Sequence, residues 1–158
     1  MTPIDLMEQF KSFTEEALKD LIMPIQTPPT KEAQSRAPEV FLMNLPDEKA
    51  MKERAPYVLL QFLNGDDSQS EGEEQESTCN IRVVVCAYSE DLSEGPLQVL
   101  NMLTRLRPAL LSKRIVANRY AMRLPLEYLV YPENPVPFFF GEMMTVWELP
   151  IISRREIL

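Results

Sequence analysis

Histidine is absent from this chain, and with it the commonest general base and metal ligand. Also missing are a GxSxG nucleophile turn, a Walker-type or GxGxxG phosphate loop, and any cysteine pair at zinc spacing. Carboxylates alone can run glycoside or phosphoryl chemistry, but only when two are held together in a pocket. Glu127, Glu142 and Glu148 are the only acids set within strong strand patterns. Glu142 and Glu148 share a strand face, yet six residues of strand put them roughly 20 Å apart. They read as solvated positions or as ion-pair partners of Arg119 and Arg123. No catalytic, cofactor-binding or metal-binding residue is expected, and the chain is not expected to be an enzyme.

No stretch approaches the roughly 18 to 20 consecutive apolar residues that a membrane span needs. The opening MTPIDLMEQF lacks the basic flank and unbroken apolar core of an export signal, so a cytoplasmic location is expected. Cysteine occurs only twice, as Cys79 and Cys86, seven steps apart on one predicted strand. At ~3.3 Å per residue that is roughly 23 Å, too far for a mutual disulfide, and two free buried thiols are expected. Basic residues are the minority, 16 against 24 acidic, for a formal charge of −8. A general nucleic-acid binder needs cations to displace counterions from phosphates, so this balance argues against one. Six of the acids, Asp66, Asp67, Glu71, Glu73, Glu74 and Glu76, lie between Asn64 and Thr78 with no lysine or arginine among them.

What is present is organised around Cys79 to Arg114, where a period of two gives way to a period near four. Ile81, Val83, Val85 and Ala87 share one strand face, and Val84 and Cys86 make the other largely apolar. A strand apolar on both sides belongs inside a sheet covered on each face. Ser89, Glu90, Asp91 and Ser93 then supply turn and cap chemistry, and Pro96 suits a first helical turn. Leu97, Leu100, Leu103, Leu106 and Leu110 follow at helical spacing. Pro108 has no amide hydrogen and crowds the carbonyl four residues earlier, which predicts a kink or restart near Arg107.

At 158 residues, 45% apolar and 25% charged, the chain 1–158 fits one soluble domain with a core of its own. Thr2 caps a predicted helix with Pro3 and Asp5 in its first turn. Met7, Phe10, Phe13, Ala17, Leu18 and Leu21 form its apolar face. A proline-rich connector or arm over 22–37 follows. Val40 to Met43 and Tyr57 to Leu63 read as strands, with DEKAMKER between them of helix-forming composition. The acidic segment 64–78 reads as a long mobile loop: its carboxylates repel and nothing apolar offsets the entropy of ordering it. It lacks the DxDxDG spacing of a calcium loop.

Strand-like runs cover Arg114 to Arg123 and Leu126 to Tyr131, separated by Pro125. FFFGEMMTVWELPII is the last strand, with Gly141 a bulge or close-approach point and three phenylalanines that must divide between two faces. Phe138 to Phe140 and Trp147 fit a core or a subunit interface better than a base-stacking platform, which sits in a basic groove. The segment 151–158 reads as a tail.

The order of these elements resembles the small tail proteins of tailed phages and prophages, in particular the tail-terminator and tail-completion group. The likeness rests on a leading helix, PYVLLQFLNGDD and CNIRVVVCAYSED as strands, LQVLNMLTRLRPALLSKRI as a helix, and RLPLEYLVYPENPVPFFFGEMMTVWELP. It implies an α+β fold, an antiparallel β-sheet with an N-terminal helix and a central helix packed on it. It also implies a self-associating ring, often a hexamer, at the end of the tail tube, with tube and neck proteins as partners. Assembly would take place in the cytoplasm and the product would belong to the virion tail. DNA would pass such a ring without specific binding, and the acidic segment would border the lumen or serve as a solvated tip. A phage neck or head–tail adaptor protein, or a protein-interaction module outside phages, are the alternatives.

Overall fold

The computed structural model describes residues 2–45 and 54–151. In chain order the elements are α1 (Pro3–Leu18), β1 (Met23–Pro24), β2 (Ser35–Arg36), β3 (Glu39–Leu42), β4 (Tyr57–Gln69), β5 (Gln75–Tyr88), α2 (Glu94–Lys113), β6 (Ile115–Val116), β7 (Tyr120–Val130) and β8 (Phe138–Glu148). Most of DEKAMKER and the SRREIL tail lie outside the described residues.

The fold is α+β, as the sequence implies: a six-stranded sheet of order β3-β4-β5-β8-β7-β6 carrying both helices. The two-sided apolar strand β5 lies inside the sheet, between β4 and β8. All pairings are antiparallel except one. β3 runs parallel to β4, Glu39 opposite Tyr57 and Leu42 opposite Leu60, so the sheet is mixed rather than wholly antiparallel. The chain must cross back between these two strands, as a parallel pair requires.

Both helices pack on one face. Ile81, Val83, Val85 and Ala87 of β5 meet Leu6, Met7 and Phe10 of α1 and Val99, Met102, Leu103 and Leu106 of α2 in one continuous core. Phe10 lies 5.0 Å, centroid to centroid, from Trp147 at a 58° tilt, a favourable aromatic arrangement. On the opposite face a smaller cluster joins Ala55, Tyr57, Leu59, Val84, Cys86 and Phe138. Among the described residues that second face is covered over only part of its area.

α1 begins as read, with Thr2 Oγ1 accepting from the Asp5 amide at 3.1 Å. At the start of α2 the cap is Asp91, whose carboxylate accepts from the amides of Ser93 and Glu94 at 2.7 and 3.1 Å. The buried face of α2 is Val99, Met102, Leu103, Leu106 and Leu110, rotated from the leucine stripe: Leu97 is 56% exposed and Leu100 39%. The helix also runs through Pro108 without a restart. The carbonyl orphaned there belongs to exposed Thr104, where water can serve it. Arg114, left-handed at φ 55°, closes the helix by donating its amide to Leu110 O at 2.7 Å.

Two further readings are corrected, and the connector gains a short pairing of its own. The acidic segment is a paired ribbon rather than a loop, with Asp66 opposite Thr78, Asp67 opposite Ser77, Ser68 opposite Glu76 and Gln69 opposite Gln75. In the first three pairs an acid faces a hydroxyl and in the fourth two amides meet, so this register avoids the like-charge opposition that destabilises a hairpin. The connector 22–37 is partly ordered: Met23 pairs Arg36 and Pro24 pairs Ser35. β7 continues across Pro125, with the register slipping between Arg123 and Glu127. A proline fits at such an irregularity because it has no amide to give the ladder. β6 and β7 join through the three residues Ala117 to Arg119; Ala117 and Asn118 both take positive φ, near 55°, and the Arg119 amide donates to Val116 O at 3.2 Å.

Candidate functional site

The strand acids do not converge. Glu142 on β8 pairs with Arg82 on the neighbouring β5, on the sheet face away from the helices. The same guanidinium donates to Tyr131 Oη at 2.7 Å and reaches Gln61 Oε1 at 3.5 Å. Glu148 accepts from Arg123 Nε at 2.9 Å, the partner expected from the sequence. Arg119 instead pairs with Asp5 at 3.2 Å, and Arg82 takes the role expected of it at Glu142. Glu127 is exposed on β7, opposite Met144 of β8. Among the described residues no group of three or more metal-ligating side chains gathers.

Asp5 accepts hydrogen bonds from Tyr120 Oη at 2.5 Å and Arg119 at 3.2 Å. The Tyr120 hydrogen bond leads in holding the Asp5 carboxyl below its ordinary value, with the Arg119 charge adding to it. Cys79 and Cys86 are free and buried, one on each face of the sheet. Burial pushes the Cys79 thiol up to about 11 and Cys86 to about 12, so neither is a thiolate nucleophile near neutral pH.

The aromatic run divides as its alternation requires. Phe138 and Phe140 face the smaller cluster, and Phe139 turns inward under α2. Trp147 is fully buried and spends its indole N–H on Thr145 Oγ1, so it offers no exposed ring for stacking.

What the molecule presents to its surroundings is surface for contact. Beyond the smaller cluster the second sheet face carries Arg82, Glu142, Met144 and Val146, all half-buried with no layer over them among the described residues. The outer edge of β7 exposes Leu124, Tyr128 and Leu129, because β6 pairs only with its first two residues. Arg107 of α2 stacks over Tyr128, its guanidinium carbon 3.9 Å from the ring centroid.

A charge asymmetry in the sequence marks this edge and had escaped the reading from composition. From Gly95 to Leu126 there are six basic residues, Arg105, Arg107, Lys113, Arg114, Arg119 and Arg123, and no acid. That segment is the counterpart of the acidic ribbon, and the fold sets the two on different sides of the sheet.

No known family and no curated protein matches this chain. Among the described residues no helix is long and apolar enough to cross a membrane.

Proposed function

We propose that this chain is a structural protein of phage or prophage tail assembly, of the tail-terminator or completion type, working as a ring at the end of the tail tube. The observation that carries the reading is the one-sided build of the sheet. Both helices and the continuous core occupy one face, while among the described residues the other is left open over Arg82, Glu142, Met144 and Val146. Among the described residues the outer edge of β7 is unpaired beyond Ala121, and it exposes apolar side chains. Open edges pair readily with other chains, and identical chains that use such surfaces commonly close into rings. The element order behind the tail-protein resemblance supports the same reading.

In this role the chain holds other proteins in place and needs no catalytic group. Its partners are further copies of itself, the tail-tube protein and the neck proteins, and DNA passes without being bound. Sedimentation velocity on the purified protein, alone and mixed with tail-tube protein, tests the reading. A discrete oligomer in at least one condition is expected; strict monomers in both contradict it.

A further inference from the structure

The two open edges of the sheet lie level with each other. Val40 of β3 stands opposite Val58, Val58 opposite Val85, Val85 opposite Gly141, and Gly141 opposite Val130 of β7. Two residues away a second line runs from Leu42 through Leu60, Val83 and Met143 to Tyr128. β3 and β7 also run in opposite directions, since β3 is parallel to β4 and each pairing from β4 across to β7 is antiparallel. Among the described residues β3 pairs only with β4, and β7 beyond Ala121 pairs only with β8.

The backbone groups at the two edges match as well. Glu39 and Met43 donate their amides to Pro56 O and Leu60 O, at 3.3 and 2.8 Å, so these alternate residues turn toward β4 and Val40 and Leu42 turn outward. Tyr131 donates to Phe140 O at 3.0 Å, which by the same alternation turns Tyr128 and Val130 outward from β7. Of the outward groups on β3 the Leu42 carbonyl is already engaged, by the Asn44 amide at 2.8 Å. All four outward residues belong to the helix-bearing face: Val40, Leu42 and Val130 pack with the continuous core, and Tyr128 lies under Arg107 of α2. Shifting one edge by two residues spoils the match. One way sets Val40 against Pro132, which has no amide to give; the other sets Leu42 against Leu126, inside the irregular stretch between Arg123 and Glu127.

We propose that copies of this chain join edge to edge, β3 of one antiparallel to β7 of the next, with Val40 opposite Val130 and Leu42 opposite Tyr128. The proposal rests on the ring reading above and names the contact that builds it. Hydrogen bonds run both ways between Val40 and Val130 and from the Leu42 amide to Tyr128 O, while Phe41 meets Leu129 on the other face. α2 adds an apolar contact. Leu100, Arg107 and Leu111 share the side of α2 away from α1, because Ala109 and Ser112 line the groove between the two helices. Leu100 and Leu111 are 39% and 37% exposed there. The flank that the next copy brings up is a groove of about 330 Å³ between α1 and β3, lined by Ile4, Met7, Leu42, Met43 and Phe62. With Tyr128 beside Leu42, Arg107 stands at the rim of that groove, and Leu111, one turn on, comes roughly 6 Å further toward Phe62. Each copy gives one edge and receives another, a heterologous contact that closes into a cycle when every step carries a rotation.

Phe41 and Leu129 form the non-hydrogen-bonded pair of this contact, with Cα atoms about 4.5 Å apart, inside the range of a disulfide. Phe41→Cys and Leu129→Cys are made as separate proteins, mixed one to one where wild type associates, and oxidised; the native Cys79 and Cys86 are buried. A disulfide-linked dimer is expected in the mixture at least about tenfold above either protein alone, because docking raises the effective thiol concentration. Glu39→Cys with Tyr131→Cys, the next such pair, gives the same readout should Phe41→Cys not fold, and circular dichroism checks every variant. Phe41→Cys with Glu127→Cys, two residues out of register, is expected to cross-link at background. Leu111→Asp is expected to lower self-association at least about tenfold by sedimentation while the protein stays folded. In a protein that associates, no cross-link from either matched pair, or a cross-link from the offset pair alone, overturns this contact and leaves the ring reading standing. Association unchanged by Leu111→Asp overturns the part given to α2. A wild type that stays monomeric, with or without tail-tube protein, overturns both the contact and the ring.

Discussion

Trp147 and Thr145, two residues apart on β8, form a buried relay: the indole N–H donates to Thr145 Oγ1 at 2.8 Å. That hydroxyl donates in turn to Ile81 O of β5, also at 2.8 Å. Both side chains are fully buried, so no water replaces a missing partner. Thr145→Val keeps the shape but leaves the indole N–H unsatisfied. The expected loss is about 1–3 kcal/mol in urea unfolding. An unchanged midpoint would show that the relay contributes nothing.

Gly95 is fixed by close approach. A Cβ there would stand 2.2 Å from Cε2 of Phe139, a ring that is itself buried beneath α2. Gly95→Ala gains up to about 1 kcal/mol of helix propensity, yet overpacking typically costs about 1–3 kcal/mol. A lower melting temperature is expected. Gly141→Ala should behave alike, since its Cβ would meet Val99 Cγ1 at 2.5 Å and Leu129 O at 3.0 Å. A stabilised Gly95→Ala protein would mean that the Phe139 ring yields freely.

The core positions of β5 and β8 were legible in the sequence because burial imposes its period on apolar residues, and those of α1 in part: Met7, Phe10 and Leu18 but not Leu6 or Thr14. Ile81 to Ala87 is apolar on both faces, as an inner strand requires, and burial alternates from Met143 to Trp147. The face of α2 was not legible in the same way. Leu97 and Leu100 continue a leucine spacing outward, so counting leucines selects a stripe rotated from the one that Val99 and Met102 complete. The ribbon was misread because aspartate, glutamate and serine are poor strand formers. Its pairing is propagated from the register of Leu59 to Phe62 against Ile81 to Val84, which local composition does not carry. The direction of β3 depends on how the chain crosses back to β4, and four residues say nothing of that. As for the candidate site, the pairing of Glu148 with Arg123 could be read from the strand pattern, whereas that of Glu142 with Arg82 needs the strand order.

Cys79 and Cys86 should resist alkylation in the native state. Burial raises both thiols, to about 11 and about 12, and closes off access to them. Iodoacetamide at pH 8 should add nothing detectable by intact mass in buffer and two adducts in concentrated urea. Rapid native labelling of Cys86 would contradict its place under the smaller cluster.

The Asp5 carboxyl, held below its ordinary value near 3.8, links stability to acid. A depressed carboxylate contributes stability that is fully present above its unfolded pKa and is lost as pH falls through the folded value. Melting temperature should therefore fall below about pH 4 partly through Asp5. Asp5→Asn should remove that part of the acid dependence while lowering the plateau near pH 7. Identical pH profiles for the two proteins would mean that Tyr120 and Arg119 do not hold the carboxylate.

The most direct test of the whole account is electron microscopy of this protein mixed with assembled tail tubes. The account predicts a closed ring of identical subunits seated at the tube end. Tubes with bare ends beside dispersed monomers, or protein scattered along the tube wall, would contradict it.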